Sequence, residues 1–281
     1  MNAKVLASMK AIVESVSERL SQHFEIYAVN TSAPALGTPE KTCDAVAKKV
    51  LDWIEDELQE DILTLPQSTT AKAFKGKPSL DADSAQKLAQ TFVRRGEYIP
   101  RSEVERDLRK VQALPIVVVR NKKGDILRLR RKEKKEDSAL HKRIVIWAGG
   151  HVRKEDKQKG DPLVQCAVRE LEEELRLAVE PDTLVLRGAI HSRVDEGTLK
   201  HVALVYEWQA KEEDVEVALS NAEFFERTGN ALSGTFISAE QILVEHERGE
   251  LTEEWSSQIV KNFLGETSQG ARRDLFDSAS S

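Results

Sequence analysis

Three glutamates near the middle of the chain have the type and the spacing needed to hold a metal ion. Glu170, Glu173 and Glu174 follow Arg169, and their i, i+3 and i+4 spacing places all three carboxylates on one side of a helix. Three like charges in one stripe repel each other, and the stripe becomes favourable when a hard divalent cation such as Mg²⁺ takes the oxygens as ligands. A solvated acidic helix face has the same pattern, so the surrounding residues decide between the two.

The helix that carries this stripe has a well-marked start. Asp161 is a favourable N-cap residue, and Pro162 suits the first helical position. Just before it, Ile144–Trp147 predicts a strand that stops at Gly149 and Gly150, where glycine allows either a tight turn or a close backbone approach to a metal or phosphate. The apolar residues fall on the other side of the helix from the carboxylates. They are Val164, Ala167, Val168, Leu171 and Leu175.

The second part of the chain favours strands. Ile116–Val119 is a β-branched run, and Asn121–Asp125 predicts a turn before Ile126–Leu127, so this segment predicts a hairpin. Further strands are predicted at Leu184–Ile190 and His201–Trp208, with a helix between them and another helix near the C-terminus. The predicted fold class is therefore α/β (α+β), a mixed β-sheet packed between helices.

The N-terminal part has a helical periodicity instead. Apolar residues recur at helical spacing in Val5–Leu20, Val46–Leu58 and Ser84–Val93. We therefore predict a helical N-terminal region of unknown role over residues 1–93, a mixed domain over 94–265 and a disordered polar tail over 266–281.

Composition excludes several classes of protein. The formal net charge is -6, whereas general nucleic-acid binding usually comes with a basic domain. Cys43 and Cys166 lie far apart without C-x-x-C spacing, which argues against a metal ribbon or a disulfide framework and fits a reducing cytoplasm. No apolar run approaches the roughly 18 residues of a membrane span, so a cytoplasmic protein without membrane contact is expected.

The helix and the loop before it resemble the Nudix box, whose pattern is G-x5-E-x7-R-E-U-x-E-E-x-G-U with U an aliphatic residue. Asp161 stands where the pattern has its first glutamate, since seven residues separate it from Arg169. The resemblance implies a Nudix-type mixed sheet and a hydrolase that acts on phosphoanhydrides. The positions that match in register are Arg169, Glu170, Leu171, Glu173, Glu174 and Leu177.

Two substitutions and one insertion depart from the pattern. Asp161 is one methylene shorter than the box glutamate, and Arg176 replaces the box glycine, which changes how the helix ends. The loop between Gly150 and Asp161 holds ten residues, twice the length in the pattern. Its segment Val152–Lys159 is nearly all charged, so we predict an exposed, mobile loop whose shortening leaves folding intact.

Outside the box, the chain resembles a bacterial branch of Nudix proteins that are often called predicted phosphoesterases. This resemblance covers about residues 94–264. Because R-E-L-x-E-E-L is usual in that branch, Arg176 is weak evidence of inactivity. The segments that carry the resemblance are Tyr98–Arg101, Gln112, Pro115, Gly149–His151, Arg169–Leu175 and Trp255–Ser256.

The resemblance also implies which residues hold the metal. Glu170, Glu173 and Glu174 are expected to bind Mg²⁺, with Mn²⁺ as a possible substitute, together with a carbonyl near Gly150. Such metals neutralise charge on the phosphoryl oxygens and present a water in line. Arg169 is expected to orient the acids through charge-assisted hydrogen bonds, although an ordinary surface ion pair would place an arginine there too.

The box does not identify the base that activates the water. Glu196 is preferred, because it lies beside Gly197 in the predicted loop after Ile190. Each candidate also has the simpler interpretation of a solvated turn residue. The other candidates are Glu173, Asp195, Glu223 and Glu226.

Substrate contacts are harder to predict. His151 follows the glycine pair and is a candidate phosphate contact, although a loop histidine without a role is an equal alternative. Arg193 and Lys200 are further candidates for binding phosphate. Aromatic residues could stack on a base, but at strand positions they more often belong to the core. They are Tyr98, Trp147 and Trp208.

The sequence thus predicts a Mg²⁺-dependent hydrolase that cleaves a phosphoanhydride bond in a nucleoside diphosphate linked to another group. A nucleoside triphosphate, ADP-ribose or a dinucleotide would qualify, and loops rather than the box select among them. The alternative is a nucleotide sensor or protein-binding module with a relic box. An enzyme acting on RNA 5′ ends ranks below both, because the sequence lacks a basic track. Residues 1–93 are open to a role in homodimerisation or in binding a regulatory partner.

Overall fold

The computed structural model describes residues 60–131, 143–194, 196–211, 215, 217–219, 224 and 234–264. Contacts divide the chain into two compact units, Met1–Gln59 and Glu60–Ser281, and all the described residues belong to the second unit. The helices predicted at Val5–Leu20 and Val46–Leu58 and the predicted tail at 266–281 lie outside the described residues.

Strands and helices alternate along the described part of the chain. This alternation confirms the predicted α/β class. In chain order the elements are β1 (Asp61–Pro66), α1 (Gln67–Phe74), β2 (Ser79–Leu80), α2 (Ala82–Arg95), β3 (Glu97–Pro100), α3 (Arg101–Val104), β4 (Lys110–Arg120), β5 (Ile126–Arg130), β6 (Ile144–Val145), β7 (Ala148–Gly149), a 3-10 helix (Lys154–Lys159), α4 (Pro162–Leu175), a second 3-10 helix (Pro181–Thr183), β8 (Val185–Ile190), α5 (Glu196–Lys200), β9 (His201–Gln209), β10 (Thr235–Ile237), α6 (Ala239–Glu247), α7 (Glu254–Ile259) and a π-helical turn (Val260–Leu264).

One mixed sheet organises these elements, with the central order β10-β5-β4-β9-β8-β2. β4 and β9 run parallel, while β5 and β8 pair antiparallel with their neighbours. Every residue of β4 from Val111 to Arg120 is buried, so both faces of the sheet are covered at its centre. α4 packs against β4 and β7, and α2 packs against β8. The predicted mixed sheet packed between helices is confirmed.

Three short segments pair in turn with the edge of β4 that faces away from β9. β1 pairs with its start, β7 pairs at Ile116 and Val117, and β5 pairs at Arg120. Pro115 has no N–H to donate, and it lies between the stretch paired with β1 and the stretch paired with β7. The central strand is therefore completed by segments from separate parts of the chain.

The predicted strands are confirmed with one change. The hairpin corresponds to β4 and β5, and the two later strands correspond to β8 and β9 with the short helix α5 between them. Of the segment Ile144–Trp147, predicted as one strand, only Ile144–Val145 (β6) is a strand, and a break at Ile146 and Trp147 divides it from β7 at Ala148–Gly149. The division has a simple cause: β6 pairs with β5 whereas β7 pairs with β4, so the chain changes neighbours at Ile146 and Trp147.

The sheet also includes residues before Arg94. β1 pairs with β3 and β4, and its apolar run Ile62–Leu65 is buried, so the helical character predicted for residues 1–93 does not hold there. A continuous run of this length suits a strand between two neighbours. α2 confirms the predicted helix at 84–93 and buries Leu88 and Phe92, while Val93, expected on the same face, is exposed. Within the described ranges, no helix is long and apolar enough to cross a membrane.

Candidate active site

The helix α4 begins as the sequence predicts. The carboxylate of Asp161 accepts a hydrogen bond from the Leu163 N–H at 2.9 Å, and Pro162 occupies the first turn. Leu163, Ala167 and Leu171 are fully buried against the sheet. The helix is thereby fixed with one polar side directed to the loop that follows β7.

The end of α4 explains how an arginine can replace the box glycine. Arg176 adopts a left-handed conformation with φ 57°, which is the conformation that glycine adopts most readily. Its N–H donates to the Glu172 carbonyl at 3.1 Å, and the Leu177 N–H donates to the Leu171 carbonyl at 3.2 Å. The substitution therefore keeps the usual helix ending at some cost in backbone strain.

We expect Arg176→Gly to raise the free energy of unfolding by about 1 kcal/mol, because glycine removes the left-handed strain. Arg176→Ala is the matched control, since alanine loses the charge but keeps the strain. Urea denaturation of the two variants beside the parent measures the difference. Equal unfolding free energies for the glycine and alanine variants would contradict this explanation of the helix end.

The three carboxylates of the stripe have unequal surroundings. Glu170 and Glu174 are buried, whereas the Glu173 side chain is 46% exposed. The Glu170 carboxylate lies against Gly150 so closely that a Cβ on residue 150 would collide with it. Burial raises the pKa of Glu170, and the neighbouring Arg169 charge opposes that rise. The Glu170 carboxylate is thus packed against the backbone of Gly150 and is not solvated.

Arg169 donates hydrogen bonds to several groups around the stripe. Its Nη1 donates to a carboxylate oxygen of Glu170 and, at 3.1 Å, to Oε2 of Glu173. Its Nη2 donates to the His151 carbonyl at 2.9 Å, and its Nε donates to Asp156 Oδ1 at 3.0 Å. Burial would lower the pKa of Arg169, but its carboxylate partners raise it, so the guanidinium stays charged. One cation therefore links two stripe carboxylates to the loop after β7.

Glu174 belongs to a separate ion pair. Arg131 Nη1 donates to Glu174 Oε1 at 2.6 Å, and the two side chains are only 6% and 8% exposed. The Gly149 N–H donates to Glu174 Oε2 at 3.2 Å. The Arg131 guanidinium also stacks over the rings of Trp147 and Phe224, at 5.2 and 4.4 Å from their centroids. The negative charge of Glu174 is thus balanced by the buried Arg131 guanidinium.

Comparison with known families identifies the family of this chain. The sequence model of the NUDIX domain matches residues 110–262, more than half of the chain. The chain belongs to the Nudix family. It is therefore a hydrolase of phosphorus-containing anhydrides, as predicted.

Solved structures of low sequence identity resemble this chain. Tm1382, named as a candidate Nudix hydrolase, is 19% identical, and the match covers 73% of this chain and 99% of that one with a TM-score of 0.56. DR0079 from Deinococcus radiodurans is 21% identical over 65% of this chain and 97% of that chain, with a TM-score of 0.40. No curated protein matches the chain. The likeness to Tm1382 shows a shared fold.

The loop of this Nudix domain is exposed over most of Val152–Lys159, as the sequence predicts, but two of its residues are buried. Val152 and Asp156 are buried, and Lys154–Lys159 form a 3-10 helix. Asp156 lies five intervening residues after Gly150, which is the spacing the box gives its glutamate, and Asp156 is the acid that bonds to Arg169. Assigning Asp161 to the box glutamate is therefore not supported by its contacts. The extra residues follow Asp156, and Asp161 caps the helix.

The contacts of Asp156 also change the expectation for shortening this loop. We expect Asp156→Asn to lower the free energy of unfolding by about 2 kcal/mol, because it weakens charge-assisted bonds to a half-buried Arg169. Glu155→Gln, an exposed change in the same turn, is the matched control. Denaturant unfolding of both variants provides the measurement. If the two variants were equally stable, the loop would be dispensable, as the sequence alone suggests.

The predicted substrate contacts lie in different settings. His151 Nε2 lies 3.2 Å from His201 Nε2, and Lys200 Nζ donates to the Glu105 carbonyl at 2.7 Å. Arg193 is exposed in the segment after β8. Glu196 is the first residue of α5 rather than a loop residue. The other base candidates Asp195, Glu223 and Glu226 lie outside the described residues.

Two predicted aromatic candidates can now be placed. Trp147 is buried, and its Nε1 donates to Glu253 Oε2 at 2.9 Å, so it belongs to the core. Tyr98 is half-buried beside the loop, and burial together with the Asp156 charge raises its pKa to about 12. Glu253 also accepts bonds from the backbone of Trp255 and Ser256. The Trp-Ser pair of the resemblance thus helps to fix Ile146 and Trp147, which precede the glycines.

Sequence reasoning missed several residues of the site. Arg131, Asp156 and His201 all contact predicted site residues, yet each is a single charged or polar residue without a local pattern. The G-x5-D spacing from Gly150 is the signal that could have identified Asp156. Nothing in the sequence marks Arg131 or His201, because their partners are distant along the chain.

Proposed function

We propose that this Nudix protein is a Mg²⁺-dependent hydrolase that cleaves the phosphoanhydride bond of a nucleoside diphosphate linked to another group. A nucleoside triphosphate, ADP-ribose or a dinucleotide is the substrate class, and Mn²⁺ is a possible substitute metal. The observation that supports this proposal most is the bridging of Glu170 and Glu173 by Arg169 beside Gly150. It supports the proposal because it holds two acids of α4 beside Gly150, where we expect the metal and the substrate phosphates to bind.

The chemistry of the donors fits magnesium. Glu170, Glu173 and Glu174 with the Gly150 carbonyl form an all-oxygen set, which is what a hard divalent cation prefers. The position of Gly150 adds to the fit, because any side chain there would fill the space beside the Glu170 carboxylate. When bound, the cation would neutralise charge on the phosphoryl oxygens and lower the pKa of a water. These four residues are the proposed metal ligands.

The remaining roles fall to side chains near α4. Arg169 is the proposed orienting group, since it fixes the rotamers of two ligands and ties them to the loop at His151. Glu196 is the proposed base, with Glu173 as the alternative among described residues. His151, Arg193 and Lys200 are the proposed phosphate contacts. Lys200 would have to exchange its bond to the Glu105 carbonyl for one to phosphate.

One observation favours the alternative of a weak or inactive nucleotide sensor. Glu174 pairs with the buried Arg131, so a metal would have to share that carboxylate with a guanidinium. A site with weakened metal affinity could bind a nucleotide and release it intact. The two functions differ in turnover, and measurement of product formation separates them.

A nucleotide screen tests the proposal. The full chain is incubated with nucleoside triphosphates, ADP-ribose and dinucleoside polyphosphates, with Mg²⁺, with Mn²⁺ or with chelator, and release of phosphate or monophosphate is followed. We expect metal-dependent hydrolysis of one of these classes and none in chelator. Binding of a nucleotide without turnover in either metal would favour the sensor, and turnover in chelator would contradict the metal assignment.

A further inference from the structure

A second group of potential ligands includes His151, the last residue of the Gly-Gly-His segment. Glu105, His151 and His201 each direct one ligand atom to a common region, and these atoms all lie within 4.8 Å of one another. Glu105 follows α3, His151 follows β7 and His201 begins β9. Three segments distant in sequence are thereby brought together, with no acid of the Nudix box among them.

The hydrogen bonds fix which nitrogen of His201 is available. His201 Nδ1 lies 2.6 Å from the Gly197 carbonyl, an acceptor, so Nδ1 carries the proton. Nε2 of His201 therefore presents a lone pair. A carbonyl that fixes the tautomer in this way is the usual companion of a metal-binding histidine.

The surroundings of that lone pair contain an unresolved conflict. Nε2 of His201 lies 3.2 Å from His151 Nε2 and 3.2 Å from the Oε1 of Gln112, another acceptor. Gln112 is fully buried, and its Nε2 has no hydrogen-bond partner. Two acceptors facing each other in a buried site are unfavourable unless a donor or a cation lies between them. If the Gln112 amide were rotated, its N–H₂ would face His201 and no metal would be needed. The observed orientation favours an ion, and the rotated one does not.

We propose that Glu105, His151 and His201 form a binding site for one divalent transition-metal ion of the Zn²⁺ type, distinct from the carboxylates proposed to hold magnesium, and that His151 binds this ion instead of contacting phosphate. Two imidazoles and a carboxylate suit such ions better than Mg²⁺, and they leave coordination positions open. Two nitrogens that each bind zinc at tetrahedral angles are roughly 3.3 Å apart. The 3.2 Å between the two Nε2 atoms agrees with this separation.

Several neighbouring cations oppose the proposed ion, and Arg101 acts on both histidines and pairs with Glu105. Arg101 Nε lies 3.7 Å from Glu105 Oε1, so a guanidinium already offsets part of the carboxylate charge. Its side chain is 47% exposed, which allows it to turn into solvent when the carboxylate binds an ion. The bound ion would join α3, the Gly-Gly-His turn and β9. Because Arg169 holds the His151 carbonyl, the ion would also stiffen the turn beside the carboxylate stripe.

Titration of the metal-free full chain with Co²⁺ tests this site, because Co²⁺ replaces Zn²⁺ and absorbs visible light when nitrogen ligands surround it. We expect one equivalent to bind with a visible band, and His151→Ala and His201→Ala each to weaken binding by at least about tenfold. His246→Ala, a histidine outside the cluster, is the matched control. Glu173→Gln separates this site from the stripe and should leave the visible band unchanged.

A second measurement keeps the test valid if a histidine variant folds poorly. Zn²⁺ should raise the unfolding temperature of the parent and of His246→Ala, because an ion that binds only the folded chain stabilises it. His151→Gln, which keeps a polar side chain of similar reach, should fold and lose this rise. Absence of Co²⁺ binding by the parent would overturn the proposal, as would unchanged binding in both cluster variants or loss of the band in Glu173→Gln.

Discussion

Glu173→Gln is expected to lower turnover on the nucleotide substrate by about a hundredfold or more while leaving the fold intact. Removing a carboxylate that holds the charge-stabilising metal is expected to lower the reaction rate by about this factor. The side chain is 46% exposed, and its ion pairs with Arg153 and Arg169 lie at the surface. Surface pairs contribute little, so the free energy of unfolding should change by less than about 0.5 kcal/mol. Steady-state kinetics at saturating Mg²⁺, together with urea denaturation, measure both quantities.

Glu172→Gln is the matched control for that change. Glu172 is an exposed neighbour on the same helix, and it loses the same charge outside the i, i+3, i+4 stripe. We expect its turnover to equal that of the parent. Near-parental turnover in Glu173→Gln would refute the assignment of α4 as the catalytic metal site. Equal losses in both variants would instead indicate a general effect of helix charge.

Glu174→Gln is expected to lower the free energy of unfolding by about 3 kcal/mol, in addition to any loss of turnover. The sequence alone favours the opposite sign, because removing one of three like charges should relieve repulsion. The structure reverses that expectation, since Glu174 and Arg131 are both buried and face each other at 2.6 Å. Removing the carboxylate charge leaves a buried guanidinium without this counter-charge. Chemical denaturation of the metal-free variant gives the value.

The exposed stripe residue is the comparison for this prediction. Glu173→Gln removes the same chemical group from the same helix, one position away, so the difference between the two variants isolates the effect of burial. Arg131→Met combined with Glu174→Leu removes both charges and should recover part of the stability. If Glu174→Gln and Glu173→Gln unfold at equal free energy, the buried pair contributes nothing to stability.

The fold was largely predictable because its signals are local. β-branched runs and a glycine-containing turn are readable along the chain, and β4, β5, β8 and β9 appear where they indicate. The start of α4 was predictable for the same reason, since Asp161 and Pro162 act within one turn. β1 was missed because a short apolar run is compatible with either a helix or a strand until its neighbours are known.

The stripe was predictable as a pattern but not in its electrostatics. Helical spacing correctly places the three glutamates on one side of α4, and it cannot indicate that only Glu173 meets water. That difference depends on Arg131 and on the approach of Gly150, which lie in other elements. His201 was missed for the same physical reason, because its position beside His151 follows from the pairing of strands distant in sequence.

The manner in which β4 is completed has a consequence for how the chain reaches its native state. Its run Ile116–Val119 is uncharged and β-branched, which is the composition of segments that pair with other chains when exposed. Its neighbours are β1, β5, β7 and β9, and β9 begins about eighty residues later in the sequence. Contacts of such long range form slowly, because each closes a large loop before it is stabilised. During synthesis the edge of β4 that pairs with β9 therefore has no native partner until His201–Gln209 has been made, and over that interval aggregation competes with folding.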